Sequence, residues 1–377
     1  MRIGVPKETV EGERRVALVP EVARKLTSAG HEVLVQTGAG AEAMIPDVAF
    51  EEAGASVTDD LAAIWSSDVV VKVAPPSAEE VVRLGKDSTL IGFLQPLTNV
   101  EGVRALAVSG VTAFGLEAVP RISRAQSMDA LSSQSNIAGY RAALLGAQEL
   151  GRFFPMLMTA AGTIRPATVL VLGAGVAGLQ AIATARRLGA VVQGFDVRAA
   201  VKEQVESLGA SFLEFDLGGD LEGEGGYAKE LTREQQVRQQ ELMAEAIGRV
   251  DVVITTALVP GRRAPILVTE DAVRRMKPGS VVVDLAGEAG GNCECSVPGE
   301  TVIRHGVKVL APLNVPSSMA EHASQLYARN IEALLGLMVK DGELVLDFED
   351  EVIAGACVTR GGEIVHEGAR AAAGQPA

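Results

Sequence analysis

Short apolar runs alternate with amphipathic stretches along the first third of the chain. Runs with strand character are Arg2–Val5, His31–Gln36, Ser56–Val57, Val69–Val73, Thr89–Phe93 and Thr112–Gly115. Between them, Pro20–Ala29, Phe50–Ala55, Ser77–Leu84 and Val100–Ser109 carry apolar residues at helical spacing. Gly30 ends the first helix, and Pro75-Pro76 stops a strand. Strands alternating with helices predict a parallel sheet. The pattern returns further on, with strands at Ala167–Leu172, Val191–Phe195, Asp251–Thr255, Ser280–Asp284 and Val307–Leu310. A long helical pattern, Ile137–Phe153, joins the two blocks. A second, Met319–Val339, follows the crossing Asn314-Val315-Pro316 and is long enough to return to the first.

The second block opens on A-T-V-L-V-L-G-A-G-V-A-G, with Gly173, Gly175 and Gly178 at G-x-G-x-x-G spacing. A strand leads in, and an amphipathic run, Leu179–Leu188, leads out. Gly173 allows the tight turn, Gly175 lets the backbone approach a pyrophosphate, and Gly178 lets helix and strand pack closely. The helix N-terminus offers unpaired N–H groups to phosphate. The next strand ends at Asp196, eighteen residues after Gly178. A carboxylate there accepts hydrogen bonds from ribose hydroxyls and repels a 2′-phosphate, so the unit is expected to prefer NAD(H). The fold class is therefore α/β, with two Rossmann-like, doubly wound parallel-sheet domains. Residues 1–136 plus 317–377 form a discontinuous first domain, and 137–316 form the NAD(H)-binding one. The dinucleotide is expected in a cleft between them.

At 377 residues, two domains are the natural expectation. A net charge of −14 disfavours nucleic acid and an anionic bilayer surface. The odd, sparse cysteines (Cys293, Cys295 and Cys357) read as free thiols in a reducing compartment. Cys293-x-Cys295 lacks a second ligand pair, and no metal site is expected. No apolar run approaches a membrane span, and the N-terminus reads as a strand start rather than a signal peptide. The chain is expected to be soluble and cytoplasmic.

Arg121–Asn136, R-I-S-R-A-Q-S-M-D-A-L-S-S-Q-S-N, crowds amides, hydroxyls, two arginines and an aspartate into one polar stretch. It reads as a plain polar loop or as a binding loop able to fix a carboxamide ring. Arg15 and Lys72 are further candidates. Lys72 sits inside a hydrophobic strand, where it must snorkel or pair. The histidines (His31, His305, His322 and His366) stand in no motif. Leu217–Gln235, rich in glycine and charge with Tyr227 at its centre, reads as a lid or a disordered segment. The tail Gly368–Ala377 is expected to fray. A dehydrogenase acting on an alcohol or amine needs an acid or base near the reacting carbon, and no convincing one stands out.

The chain resembles the NAD(H)-binding component, domain I of the alpha subunit, of proton-translocating NAD(P) transhydrogenase. The resemblance rests on R-I-S-R-A-Q-S-M-D-A-L-S-S-Q-S-N-I-A-G-Y, G-A-G-V-A-G, F-D-V-R and G-G-Y-A-K-E, and spans essentially the whole chain. Alanine dehydrogenase is the related family, sharing R-V-A-L-x-P around Arg15, the K-V of Lys72 and L-V-P-G-R-R-A-P. Its catalytic histidine is replaced here by Gln95 and its catalytic aspartate by Glu288.

The resemblance implies direct hydride transfer from NADH to NADP⁺ bound on a partner component. It assigns Arg121, Asp129 and Ser132 to holding the nicotinamide carboxamide and Gln126 to reaching toward the partner's NADP(H). It assigns cofactor contacts to Ile122, Ser123 and Arg124, to Gly173, Gly175, Val176 and Gly178, to Asp196, Val197 and Arg198, and to Gly226, Tyr227, Gln239 and Leu258. It implies a homodimer docked, without inserting, on the cytoplasmic face of membrane-spanning subunits on another polypeptide, with proton movement through those subunits. The alternatives are a stand-alone NAD-dependent amino-acid dehydrogenase and a non-catalytic NAD-binding module.

Overall fold

The computed structural model describes residues 1–215, 233–259 and 261–374. The chain divides into two compact units: Met1–Gln134 with Pro316–Ala377, and Ser135–Val315.

The first unit is built on an eight-stranded sheet. Its order is Glu363–Ile364, Cys357–Arg360, Thr112–Gly115, Thr89–Gly92, Val69–Val71, Arg2–Val5, Glu32–Gln36, Ser56–Thr58. The sequence order reverses across Arg2–Val5, as in a doubly wound sheet. The first six strands in chain order run parallel, each followed by a helix or turn that covers one face. The all-parallel expectation needs correction at one edge. Cys357–Arg360 pairs antiparallel with Thr112–Gly115, and Glu363–Ile364 antiparallel with it. A parallel strand there would need a crossover; a hairpin closes the edge with fewer residues.

Alternating strand residues feed two cores. Val69, Val71 and Ile91 face one, where the helix Ala320–Met338 buries Tyr327, Ile331, Leu334 and Leu335. Val70 and Leu90 face the other, with Trp65, Leu106 and Val358. Helix starts are chemically marked. Asp60 accepts from Ala63 N–H, and Ser77 with Glu80 forms a capping box. The chain's end is ordered instead of frayed through Gly374. Glu367–Ala372 is a helix capped by His366 Nδ1, which accepts the Ala369 N–H, and Ala369 is buried. The helix expected at Phe50–Ala55 begins earlier, at Asp47, and stops at Glu52.

The second unit holds a seven-stranded sheet. Its order is Ser211–Phe212, Val191–Phe195, Thr168–Leu172, Val252–Thr255, Val281–Asp284, Val307–Leu310, Thr301–Arg304. Six strands are parallel, and Thr301–Arg304 forms an antiparallel edge hairpin that periodicity did not indicate. Val169 and Val171 feed one core, Leu170 and Leu172 the other. A two-stranded hairpin, Leu157–Thr159 with Gly162–Ile164, also went unanticipated. The helix Ala130–Glu149 starts inside the polar stretch, so Ala130–Asn136 is helical and only Arg121–Asp129 is not. Residues 217–232 of the glycine-rich segment lie outside the described residues; its last three, 233–235, belong to the helix Arg233–Arg249.

Candidate functional site

In the second unit the strand Thr168–Leu172 delivers the chain to Gly173, which adopts φ +99°. A Cβ on Gly173 would lie 2.6 Å from Thr256 Oγ1, and one on Gly178 would lie 1.8 Å from the Gly173 carbonyl oxygen. Both must be glycine for the turn to close against the helix and the neighbouring strand end. Gly175 differs: a Cβ there meets nothing within 4 Å. The helix Val176–Arg187 starts at Gly175 with no side-chain cap. Its first N–H groups and its dipole therefore face open space above Gly175, a fit for a diphosphate.

Asp196 closes the strand Val191–Phe195 beside this turn. Its Oδ2 accepts the Ala174 N–H at 2.8 Å and the Arg198 Nη2 at 2.9 Å. Its Oδ1 accepts the Arg198 backbone N–H and Nε, each at 2.9 Å. Burial pushes its pKa up, but the hydrogen bonds from Arg198 and Ala174, with the Arg198 charge, outweigh that and hold it below the ordinary carboxylate value. A ribose diol must compete with the Arg198 guanidinium for these oxygens. Arg198 and Val197 are exposed, so the arginine can yield. Val176 and Leu258 expose 38% and 56% of their surface at the same edge, available to a flat ligand. Gln239 is half-buried on the helix Arg233–Arg249. Gly226 and Tyr227 lie outside the described residues.

In the first unit, Ser123–Met128 is a 3-10 turn pinned by the buried Ala125 and Met128. Asp129 follows and caps the long helix, accepting the Ser132 N–H at 2.9 Å and the Ser132 hydroxyl at 2.6 Å. Asp129 and Ser132 are thus one constellation. Arg121, Ser123 and Gln126 are exposed, and Ile122 is half-buried. Arg124 is engaged: its guanidinium grips Asp350 at 2.6 and 3.0 Å. The Arg124 hydrogen bond pulls the Asp350 pKa down to about 2.

Two side-chain amides support this loop, and of these Asn330 carries no sequence signal. Asn330, on the helix Ala320–Met338, accepts the Ser133 hydroxyl and donates to the Ser127 carbonyl, at 2.7 and 2.8 Å. Gln134 accepts from Arg15 Nη1 and donates to the Ala323 carbonyl. A long-range amide pairing has no periodicity to reveal it.

Arg15 and Lys72 resolve as ion-paired. Arg15 forms a bidentate bridge to Glu13, at 2.8 and 2.6 Å, with both side chains buried. Lys72, fully buried, bridges Glu8 and Glu80 at 3.1 Å each. Gln95 adopts φ +53° and donates its N–H, with that of Leu94, to Glu117 Oε1. Burial raises the Glu117 pKa to about 7. Glu288 accepts the Asn314 N–H at 2.7 Å. All three cysteines are free and buried.

Two family models cover the chain: "Alanine dehydrogenase/PNT, N-terminal domain" matches residues 4–138, and "Alanine dehydrogenase/PNT, C-terminal domain" matches 142–367. The chain is 52% identical to an NAD(P) transhydrogenase alpha subunit of Rhodospirillum rubrum, over 97% of this chain and 98% of that protein. The chain belongs to the alanine dehydrogenase/PNT family, with the NAD(P) transhydrogenase alpha subunits. Alanine dehydrogenase of Bacillus subtilis is more distant, 32% identical over 97% of this chain and 93% of its own. The transhydrogenase structure from Sinorhizobium meliloti superposes with a TM-score of 0.86 at 45% identity, covering 97% of this chain and 99% of that one. An L-alanine dehydrogenase structure reaches 0.84 at 30% identity, covering 99% of each. Both units thus have Rossmann-like relatives. Among the described residues, no helix is long and apolar enough to cross a membrane.

Proposed function

We propose that this chain is the NAD(H)-binding component of a proton-translocating transhydrogenase, active only together with partner subunits. Bound NADH would supply a hydride directly to NADP⁺ held on a separate NADP(H)-binding component. The chain's own residues bind and orient. Gly173, Gly175 and the uncapped helix end take the diphosphate, and Asp196 takes the ribose. Leu258, Val176, Val197 and Gln239 take the remaining cofactor contacts that the resemblance assigns within the described residues; it assigns Gly226 and Tyr227 likewise, outside them. Arg121, Asp129 and Ser132, with Ile122, Ser123 and Arg124 in the same stretch, orient the nicotinamide carboxamide, and Gln126 reaches toward the partner's nucleotide. Such a reaction asks for positioning and no proton transfer at carbon.

The observation that carries this reading is the state of the residues an amine oxidation would need. Gln95 cannot ionise, and Glu288, which accepts the Asn314 N–H, stands where the resemblance places the catalytic aspartate of alanine dehydrogenase. The name of the Rhodospirillum rubrum relative, a subunit, supports dependence on partners.

In this reading the chain sits peripherally on the cytoplasmic face of membrane-spanning subunits, without inserting. A homodimer is part of it, and the hairpin Leu157–Thr159/Gly162–Ile164 supports it by exposing Met158 to 74% and Ile164 to 46%. Gel filtration should give a dimer, and Met158→Asp a monomer; an unchanged dimer would move the interface elsewhere. The function itself is tested by mixing. Chain plus NADP(H)-binding component plus both nucleotides should exchange hydride, while chain plus L-alanine and NAD⁺ should not. Reduction of NAD⁺ by L-alanine would overturn the proposal.

A further inference from the structure

The strand Val281–Asp284 ends in a carboxylate that is fully buried. Asp284 accepts five hydrogen bonds. Oδ1 takes the Thr255 hydroxyl at 2.8 Å and the Ala286 N–H at 3.0 Å. Oδ2 takes the Asn292 N–H at 2.8 Å, the Cys293 N–H at 3.0 Å and the Ser296 hydroxyl at 2.6 Å. Among the described residues no lysine or arginine pairs with it, so its charge is carried by these donors alone. The wrap needs glycine: Gly291 adopts φ +82°, and a Cβ there would lie 2.9 Å from Oδ2.

The wrap fixes Asn292, which is also fully buried. Its side chain grips one residue from both sides, accepting the Ala257 N–H at 3.1 Å and donating to the Ala257 carbonyl at 2.9 Å. The same amide donates to the Pro265 carbonyl at 2.8 Å. Ala257 follows Thr256, whose hydroxyl donates to the Gly173 carbonyl at 3.1 Å and whose N–H donates to Leu172. A chain of hydrogen bonds, buried at Asp284 and part-buried beyond it, therefore runs through Asn292 and Ala257, and through the adjoining Thr256, to the glycine turn.

We propose that Asn292 is a positioning residue that fixes the Thr256–Leu258 segment as the nicotinamide-side wall of the NAD(H) site. This rests on the reading of the glycine turn as an NAD(H) site. The sheet order supplies the side. Asp196 and the adenosine half lie over Val191–Phe195, on one flank of Thr168–Leu172, while Thr256 follows Val252–Thr255 on the other. A dinucleotide laid across that switch point puts its nicotinamide half against the segment Asn292 holds.

The test compares NADH with 5′-AMP, binding each to full-length Asn292→Ala and Asn292→Asp by calorimetry. Asn292→Asp keeps the shape and the acceptor for Ala257 N–H but loses both donors. Wild type binding NADH is the check on the underlying reading; no NADH binding at all sinks that reading and this inference with it. NADH affinity should fall roughly ten-fold or more once the two donor bonds that hold the segment are lost, while 5′-AMP affinity stays at the wild-type value. An equal loss for both ligands would mean general damage to the unit and overturn the assignment, as would unchanged NADH affinity. If Asn292→Ala does not fold, the Asn292→Asp comparison decides.

Discussion

Asp196 does two things with one carboxylate. It pins the glycine turn through Ala174, and it holds Arg198 where a ribose would lie. Asp196→Ala should weaken NADH by about 1–3 kcal/mol, the cost of unpaired ribose hydroxyls and a loosened turn. It should also free Arg198 for a 2′-phosphate and so narrow the preference for NADH over NADPH. Titrating both nucleotides checks this, and an unaltered ratio would remove Asp196 from selection. Glu117 gives a pH prediction. Its pKa is raised from 4.5 to about 7 because burial disfavours the charge, and Oε2 has no hydrogen-bond partner. The folded state therefore binds this proton more tightly than the unfolded one. That stabilisation is full below about pH 4.5 and is lost as pH rises through about 7. Glu117→Gln should flatten the fall in stability over that window by up to about 3 kcal/mol, measured by denaturant unfolding; an unchanged slope would contradict it. At this scale the sequence was only half legible. Lys72 shows by its apolar neighbours that it must snorkel or pair, but its partners, Glu80 eight residues on and Glu8 at the start of the chain, share no pattern with it.

The elements were legible where periodicity is strong and the ends are marked by glycine, proline or a cap. The strands of both sheets and the helix Ala320–Met338 could be read from apolar spacing. The edge strand Ser56–Thr58 could be read too, but a two-residue strand such as Glu363–Ile364 has too few positions to show alternation. The polar stretch reads as one loop because its serines and glutamine hide a helix start; Asp129 capping Ser132 is the local cause of that start. The glycine turn offers a split between packing and binding. Gly178→Ala pushes a Cβ into the Gly173 carbonyl and should destabilise by about 1–3 kcal/mol while losing NADH. Gly175→Ala meets only open space, so its melting temperature should hold while NADH affinity drops. Equal behaviour of the two variants would mean the diphosphate does not approach Gly175.

For the whole molecule, composition and charge bounded the class, and the two sheets give it an architecture shared by a transhydrogenase structure and an alanine dehydrogenase structure at nearly equal TM-scores. Fold alone therefore does not separate the two chemistries. The proposed separation rests on Gln95 and Glu288, which stand where the resemblance places the catalytic histidine and aspartate of alanine dehydrogenase. The central claim is that this chain positions a hydride for direct passage to a nucleotide on another protein. The most direct measurement uses NADH deuterated at the transferable C4 position, with NADP⁺, this chain and the NADP(H)-binding component. The account predicts the label in NADPH and none in water. Label released to solvent, or no transfer in the complete mixture, would contradict it.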